Sequence, residues 1–123
     1  MSDRPLVAVV DDSESVRESL SGLLEQVGLA VQAFASAEAF LASDAPDAAS
    51  CLVLDVKLPH MSGPDLQREL VRRRKRVPIV FITAQADNLL RSRLLAAGAV
   101  ACLFKPFSDT ALLDAVDAAL RVR

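Results

Sequence analysis

Four short apolar runs in this sequence each lead into residues able to do polar chemistry. Leu6–Val10 runs into Asp11-Asp12, Cys51–Leu54 into Asp55, Ile79–Ile82 into Thr83, and Ala101–Phe104 into Lys105. If these runs are strands of one parallel sheet, their polar ends collect at its carboxyl edge, where open α/β sheets bind ligands. Carboxylates crowded into one cleft raise each other's pKa. A divalent, oxygen-liking cation relieves that repulsion, and Mg²⁺ (or Mn²⁺) is held by one or two carboxylates with water and phosphate oxygens. The Lys105 ammonium and Thr83 hydroxyl add donors for an oxyanion beside the metal. Together the set describes a site for a phosphoryl group attached to, or delivered to, a carboxylate. A lone strand-end Asp is more often a helix N-cap; capping does not account for the whole set at the ends of four strands.

The elements that must position these groups follow from the hydrophobic pattern. The strong runs are too short for helices and lack polar alternation, as expected of strands buried on both faces of a parallel sheet. Ala30–Phe34 and Ala101–Phe104 are weaker runs of the same kind. Between them, Val16, Leu20, Leu23, Leu24 and Val27 recur at helical spacing after a Ser13 cap, and Gly28 stops the run. Ser36–Ala42 is a shorter helix anchored by Phe40 and Leu41. Leu66 and Leu70 mark a third, opened by Ser62-Gly63-Pro64 and closed before Pro78. Leu90, Leu94 and Ala97 mark a fourth ending at Gly98, and Leu112 (or Leu113), Val116 and Leu120 mark the last. Five strands alternating with five helices predict a doubly wound α/β sheet with right-handed parallel crossovers.

Composition excludes several classes. The 123 residues make one domain, and 52% hydrophobic content supports a packed core. With 14 Lys+Arg against 16 Asp+Glu the net charge is −2, too balanced for a general nucleic-acid binder. No apolar run approaches the ~20 residues of a membrane span, and Met1–Pro5 lacks the apolar stretch of a signal peptide. Two Cys and the single His60 are too few for a disulfide framework or a His/Cys metal site. A cytoplasmic domain is expected.

The quoted motifs carry a resemblance. Val9-Val10-Asp11-Asp12-Ser13, Leu54-Asp55-Val56-Lys57-Leu58-Pro59-His60-Met61-Ser62-Gly63, Ile82-Thr83-Ala84 and Lys105-Pro106-Phe107 stand in order over residues 1–123. The chain resembles the receiver domain of two-component response regulators, most closely those that precede a LuxR-type helix-turn-helix output. The resemblance implies a flavodoxin-like (βα)5 fold with strand order 2-1-3-4-5. It implies that Asp55 takes a phosphoryl group from a phosphohistidine on a sensor histidine kinase, the chain being a phosphoacceptor and not a turnover enzyme. Asp12, Asp55 and the Lys57 backbone carbonyl would bind Mg²⁺, with Asp11 acting through water. Thr83 and Lys105 would contact phosphoryl oxygens, helped by backbone N–H groups near Val56, Lys57 and Ala84. The Lys105–Pro106 bond would be cis. Lys57 and Gln85, two residues beyond Asp55 and Thr83, would flank the path of the water that removes the phosphoryl group. Phosphorylation would promote a homodimer through the face of the fourth helix and fifth strand, near Arg91, Arg93 and Gly98–Ala101. The domain would bind no nucleic acid or membrane itself. The resemblance also suggests a receiver excised from a longer protein.

One position departs from the pattern. Three residues before the site Lys, such receivers carry an inward-turning Tyr or Phe; here it is Cys102. Either the switch pairing of Thr83 is altered, with Phe104 on the same strand face taking part of that role, or Cys102 is simply a small buried hydrophobe. Cys51 and Cys102 would lie on strands separated by one between, roughly 9.5 Å apart and beyond the ~7 Å limit of a disulfide. The basic run Arg72–Arg76 reads as a solvated helix C-terminus in preference to a docking site. His60 is expected to be exposed and Met61 packed.

Competing readings fail on specific features. A phosphatase or transferase with an Asp nucleophile needs a cap for which no length is spare. A flavin or nucleotide binder needs glycines after the first strand, where Asp11-Asp12-Ser13-Glu14 would repel phosphate without a metal. A receiver-like module that has lost phosphorylation would not need Asp11, Asp12, Asp55, Thr83 and Lys105 intact.

Overall fold

The computed structural model describes residues 4–122; the readings that touch Met1–Asp3 lie outside it, as does Arg123. Strands β1 (Leu6–Val10), β2 (Ala30–Phe34), β3 (Cys51–Asp55), β4 (Ile79–Thr83) and β5 (Ala101–Phe104) form one parallel sheet in the order β2-β1-β3-β4-β5. This is the doubly wound arrangement the sequence pattern implied.

Pleating divides each central strand between two cores. Val7, Val9, Cys51, Val53, Val80 and Ile82 pack with Leu20 and Leu24 of α1 (Glu14–Gln26). α6 (Asp109–Leu120) adds Leu112, Ala115, Val116 and Ala119 to that layer. Ala8, Val10, Leu52, Leu54 and Phe81 pack on the other face against α2 (Ala37–Leu41), α3 (Ala45–Ala48), α4 (Gly63–Arg72) and α5 (Asn88–Ala96). β3 and β4 are buried throughout, which is why their sequences are continuous apolar runs. β2 and β5 are edges and only partly buried, so their signals were weaker.

Caps set the helix starts. Ser13, Ser36 and Ser108 each accept a backbone N–H from the first turn they precede, and Ser62 forms a reciprocal capping box with Asp65. Gly28 (φ 90°) and Gly98 (φ 111°) end α1 and α5 in the left-handed region.

Several local expectations are corrected. The sequence pattern gave five helices; α3 is a sixth, so the helix counted fourth above is α5. It begins where Ser43 Oγ accepts the Ala45 N–H at 3.0 Å, with Pro46 in its first turn. A helix of four residues is too short to show periodicity. Val27 and Ala97, placed on buried stripes, are C-cap residues exposed to solvent. The basic run is helical only at Arg72; Arg74 turns through φ 60° and the chain leaves α4. Arg72 and Arg73 pair with Glu69, and Lys75 with Asp47, a solvated arrangement as expected. Cys51 and Cys102 are free, buried and on opposite faces of the sheet.

Gly63 is the tightest approach in the fold. A Cβ there would lie 2.5 Å from the Asp55 carbonyl oxygen, 3.0 Å from Val56 Cα and 3.1 Å from Phe81 Cε1. Gly63→Ala is therefore expected to cost about 1–3 kcal/mol in urea unfolding. Unchanged stability would show that the Asp55–Val56 backbone yields freely.

Candidate functional site

The carboxyl edge of the sheet brings the expected residues together. Asp11 follows β1 and is fully buried, its N–H donating to the Phe34 carbonyl at 3.1 Å. Its carboxylate accepts the Ser13 N–H at 2.8 Å and faces the Lys105 ammonium at 3.2 Å. Asp12 is exposed at the cleft mouth, and Asp55 ends β3 almost fully buried. One carboxylate oxygen from each of Asp11, Asp12 and Asp55 lies within 4.8 Å of the others.

Lys105 joins them from β5. Its backbone N–H donates to the Thr83 carbonyl at 2.8 Å, and its Nζ lies 3.6 Å from Asp55 Oδ2 while bound to Asp11. The bond to Pro106 is cis, as expected. Asp55 Oδ1 accepts the Lys57 N–H at 3.3 Å. Burial, then the charge of Asp11, pushes the Asp55 carboxyl up to about 6; the Lys105 ammonium and the Lys57 N–H oppose that rise.

Thr83 ends β4 with its side chain buried, and its Oγ1 accepts the Gln85 N–H at 3.1 Å. The hydroxyl proton therefore remains available to a ligand. Ala84 is exposed in the loop that follows. The Val56 N–H, expected among the oxyanion donors, is instead spent on the Ile82 carbonyl at 3.0 Å. Lys57 and Gln85 line, with Asp12 and Ser62, a cleft of about 520 Å³ beside the carboxylates.

The donor set suits a hard divalent cation. It offers carboxylate oxygens only, with no His or Cys in the cluster, and Asp55 is destabilised by Asp11 in the way a shared cation would relieve. His60 is exposed in the left-handed region (φ 65°), and Met61 packs at the core margin. Neither joins the cluster.

Cys102 is buried on the same sheet face as Phe104. The Arg91 guanidinium carbon lies 5.6 Å from the centre of the Phe104 ring, within cation–π range. Burial raises the Cys102 thiol, opposed by the nearby Arg91 charge. Sequence reasoning missed this stack, and it missed Arg17, whose Nη1 donates to the Asp11 carbonyl at 2.8 Å. It read Gly63 only as a helix opener. Residue types and spacing carry no signal for contacts of these kinds.

A profile of the response regulator receiver domain matches residues 7–117. Nodulation protein W of Bradyrhizobium diazoefficiens is 51% identical over 118 residues, 96% of this chain and 52% of its own length. Transcriptional regulatory protein FixJ of Azorhizobium caulinodans is 42% identical over 114 residues, 93% of this chain and 54% of its own. The crystal structure of FixJ-N superposes with TM-score 0.87 at 40% identity, covering 100% of this chain and 98% of that one. The chain spans about half the length of these curated relatives. No helix among the described residues is long and apolar enough to cross a membrane.

The raised Asp55 carboxyl has a signed consequence for stability. It is pushed up to about 6 in the fold against about 3.9 in an unfolded chain, so ionisation penalises the folded state fully above pH 6 and not below pH 4. In chelator at pH 8, Asp55→Asn should melt higher than the wild type. That advantage should shrink as pH falls through 6 and vanish near 4, while Mg²⁺ at pH 8 should narrow it. Equal melting temperatures at pH 8 would refute the cost of holding this buried carboxylate ionised.

Proposed function

The chain belongs to the response regulator receiver domain family, and from that we propose that Asp55 accepts a phosphoryl group from a phosphohistidine of a sensor histidine kinase. The observation that carries this reading is the Lys105 ammonium set between Asp11 and Asp55 in an all-carboxylate cluster.

Transfer breaks the donor's phosphorus–nitrogen bond and forms a phosphorus–oxygen bond to Asp55. Phosphoryl transfer demands positioning and charge neutralisation more than covalent chemistry from the protein. Asp12, Asp55 and the Lys57 carbonyl would hold Mg²⁺ (or Mn²⁺), with Asp11 behind them, and the ion would neutralise phosphoryl oxygens. Lys105 can move from carboxylates to an incoming oxyanion, since its charge already lies within 3.6 Å of Asp55. The Thr83 hydroxyl donates to a second oxygen, and the exposed Ala84 N–H is a further donor. Asp55 is consumed as an acceptor and regenerated by hydrolysis, so the chain assists its own modification without being a turnover enzyme. Lys57 and Gln85, at the cleft mouth, tune the access of water.

Residues 1–123 constitute one receiver, acting in the cytoplasm. The relative named as a transcriptional regulatory protein supports an output in transcription, through a DNA-binding region of LuxR type outside this chain. The domain itself contacts no nucleic acid: its charge is −2, and much of its basic run is paired with Glu69 and Asp47. The phosphorylated receiver dimerises through α5 and β5, the face bearing Arg91 and Arg93. Thr83 moving toward the phosphoryl group is read out by Cys102 and Phe104. The small thiol leaves less packing difference between the two states than an aromatic would.

A small phosphodonor with Mg²⁺ should add one phosphoryl mass to the wild type and none to Asp55→Asn; labelling that persists in the variant would defeat the assignment. Substituting Lys57 or Gln85 should change the lifetime of the label, and an unchanged rate at both positions would remove their role. In sedimentation, phosphodonor should shift the wild type toward dimer, and Cys102→Tyr should steepen that dependence. A wild type that stays monomeric in both states rules out the dimer.

A further inference from the structure

We propose that Arg17 is a positioning residue for the acidic cluster: it fixes the Asp11–Asp12 peptide and so holds the Asp12 carboxylate where it can share a cation with Asp55. The proposal rests on reading the cluster as a cation site and adds a residue to it.

Asp11 is tethered at every polar group. Its N–H binds Phe34 and its carboxylate binds Ser13 and Lys105. Its carbonyl has no strand to pair with, because the β1–β2 register ends at Val10 and Phe34. Arg17, closing the first turn of α1, fills that place with a bond of 2.8 Å, a length typical of charge-assisted donors.

Asp12 is the opposite case. Its side chain is exposed and makes no hydrogen bond or ion pair among the described residues, yet one of its oxygens lies within 4.8 Å of oxygens from Asp11 and Asp55. Its backbone is therefore what aims it. The peptide unit is planar, so fixing the direction of the Asp11 carbonyl fixes the Asp12 N–Cα bond that continues it. Arg17 forms no ion pair among the described residues, although Glu14 and Glu18 adjoin it on α1. One arm of its guanidinium, Nη1, donates to the carbonyl that precedes Asp12.

Charge and positioning predict opposite signs. A guanidinium near the carboxylates repels a cation, so charge alone makes Arg17→Ala bind Mg²⁺ more tightly. Lost positioning makes it bind more weakly, as with partners that orient metal ligands.

Calorimetric titration of Mg²⁺ into the unphosphorylated chain, well below its melting temperature, separates them. Arg17→Ala should raise Kd about tenfold, and Arg17→Lys, which keeps the charge and a donor, should recover most of the loss. Melting temperatures in chelator are read alongside. A lowered melting temperature with unchanged Kd means a purely structural role and overturns the proposal, as does tighter binding. If Arg17→Ala fails to fold, Arg17→Gln is titrated with the same criteria. A wild type that binds Mg²⁺ equally with Arg17→Ala removes this inference alone; a wild type that binds none removes the cation reading and this inference with it.

Discussion

The structure is organised around a repulsion that it must hold in place. Asp11 and Asp55 are buried within reach of one another, an arrangement that an isolated pair of carboxylates would not adopt. Lys105 makes it tenable, and it arrives from 94 residues away in sequence. That requirement fixes the topology. β1 and β3 must be neighbours to bring the carboxylates together, and β5 must lie beyond β4 in the same sense for the ammonium to reach back. In a parallel sheet the following helices also begin at this edge. The N-termini of α1, α4, α5 and α6 therefore contribute their positive ends to the side that carries the carboxylates.

The loop after β3 meets a second demand, since it must stay close to Asp55 and leave the cleft open. Gly63 allows α4 to start against the Asp55 carbonyl, its own N–H donating to Val56 at 2.9 Å. Glu38 of α2 accepts the Met61 N–H at 3.1 Å and holds the far end of the loop. Between these anchors, His60 takes the left-handed turn and Lys57 stays at the mouth. Thr83, by contrast, leads into a loop whose residues 84–89 are all exposed. Asp55 thus sits beside a braced loop, and Thr83 beside an exposed one.

Most of the sheet was legible because parallel strands buried on both faces write themselves as uninterrupted Val, Ile and Leu. Asp11, Asp12, Asp55, Thr83 and Lys105 were legible because a polar residue ending such a run has one edge on which to appear. Contacts made by long side chains across elements were not. Nothing in the spacing of Arg17 distinguishes it from a solvated helix residue, and Arg91 meets Phe104 only because α5 crosses β5. The availability of Val56 failed as an expectation for a related reason. Backbone donors are allotted by strand register, which pairs Asp55 with Ile82 and so aims the Val56 N–H at the Ile82 carbonyl, and register is not read from residue type.

The two cysteines lie on opposite sides of the sheet. Cys51 is sealed under α1 and α6, where burial pushes its thiol up to about 12. Cys102 is sealed in the layer of α2 to α5. A thiol reagent reaches either one only when the helices over it part, so the two alkylation rates clock the opening of two separate layers. The molecule thereby carries native reporters for whether its faces breathe together or one at a time.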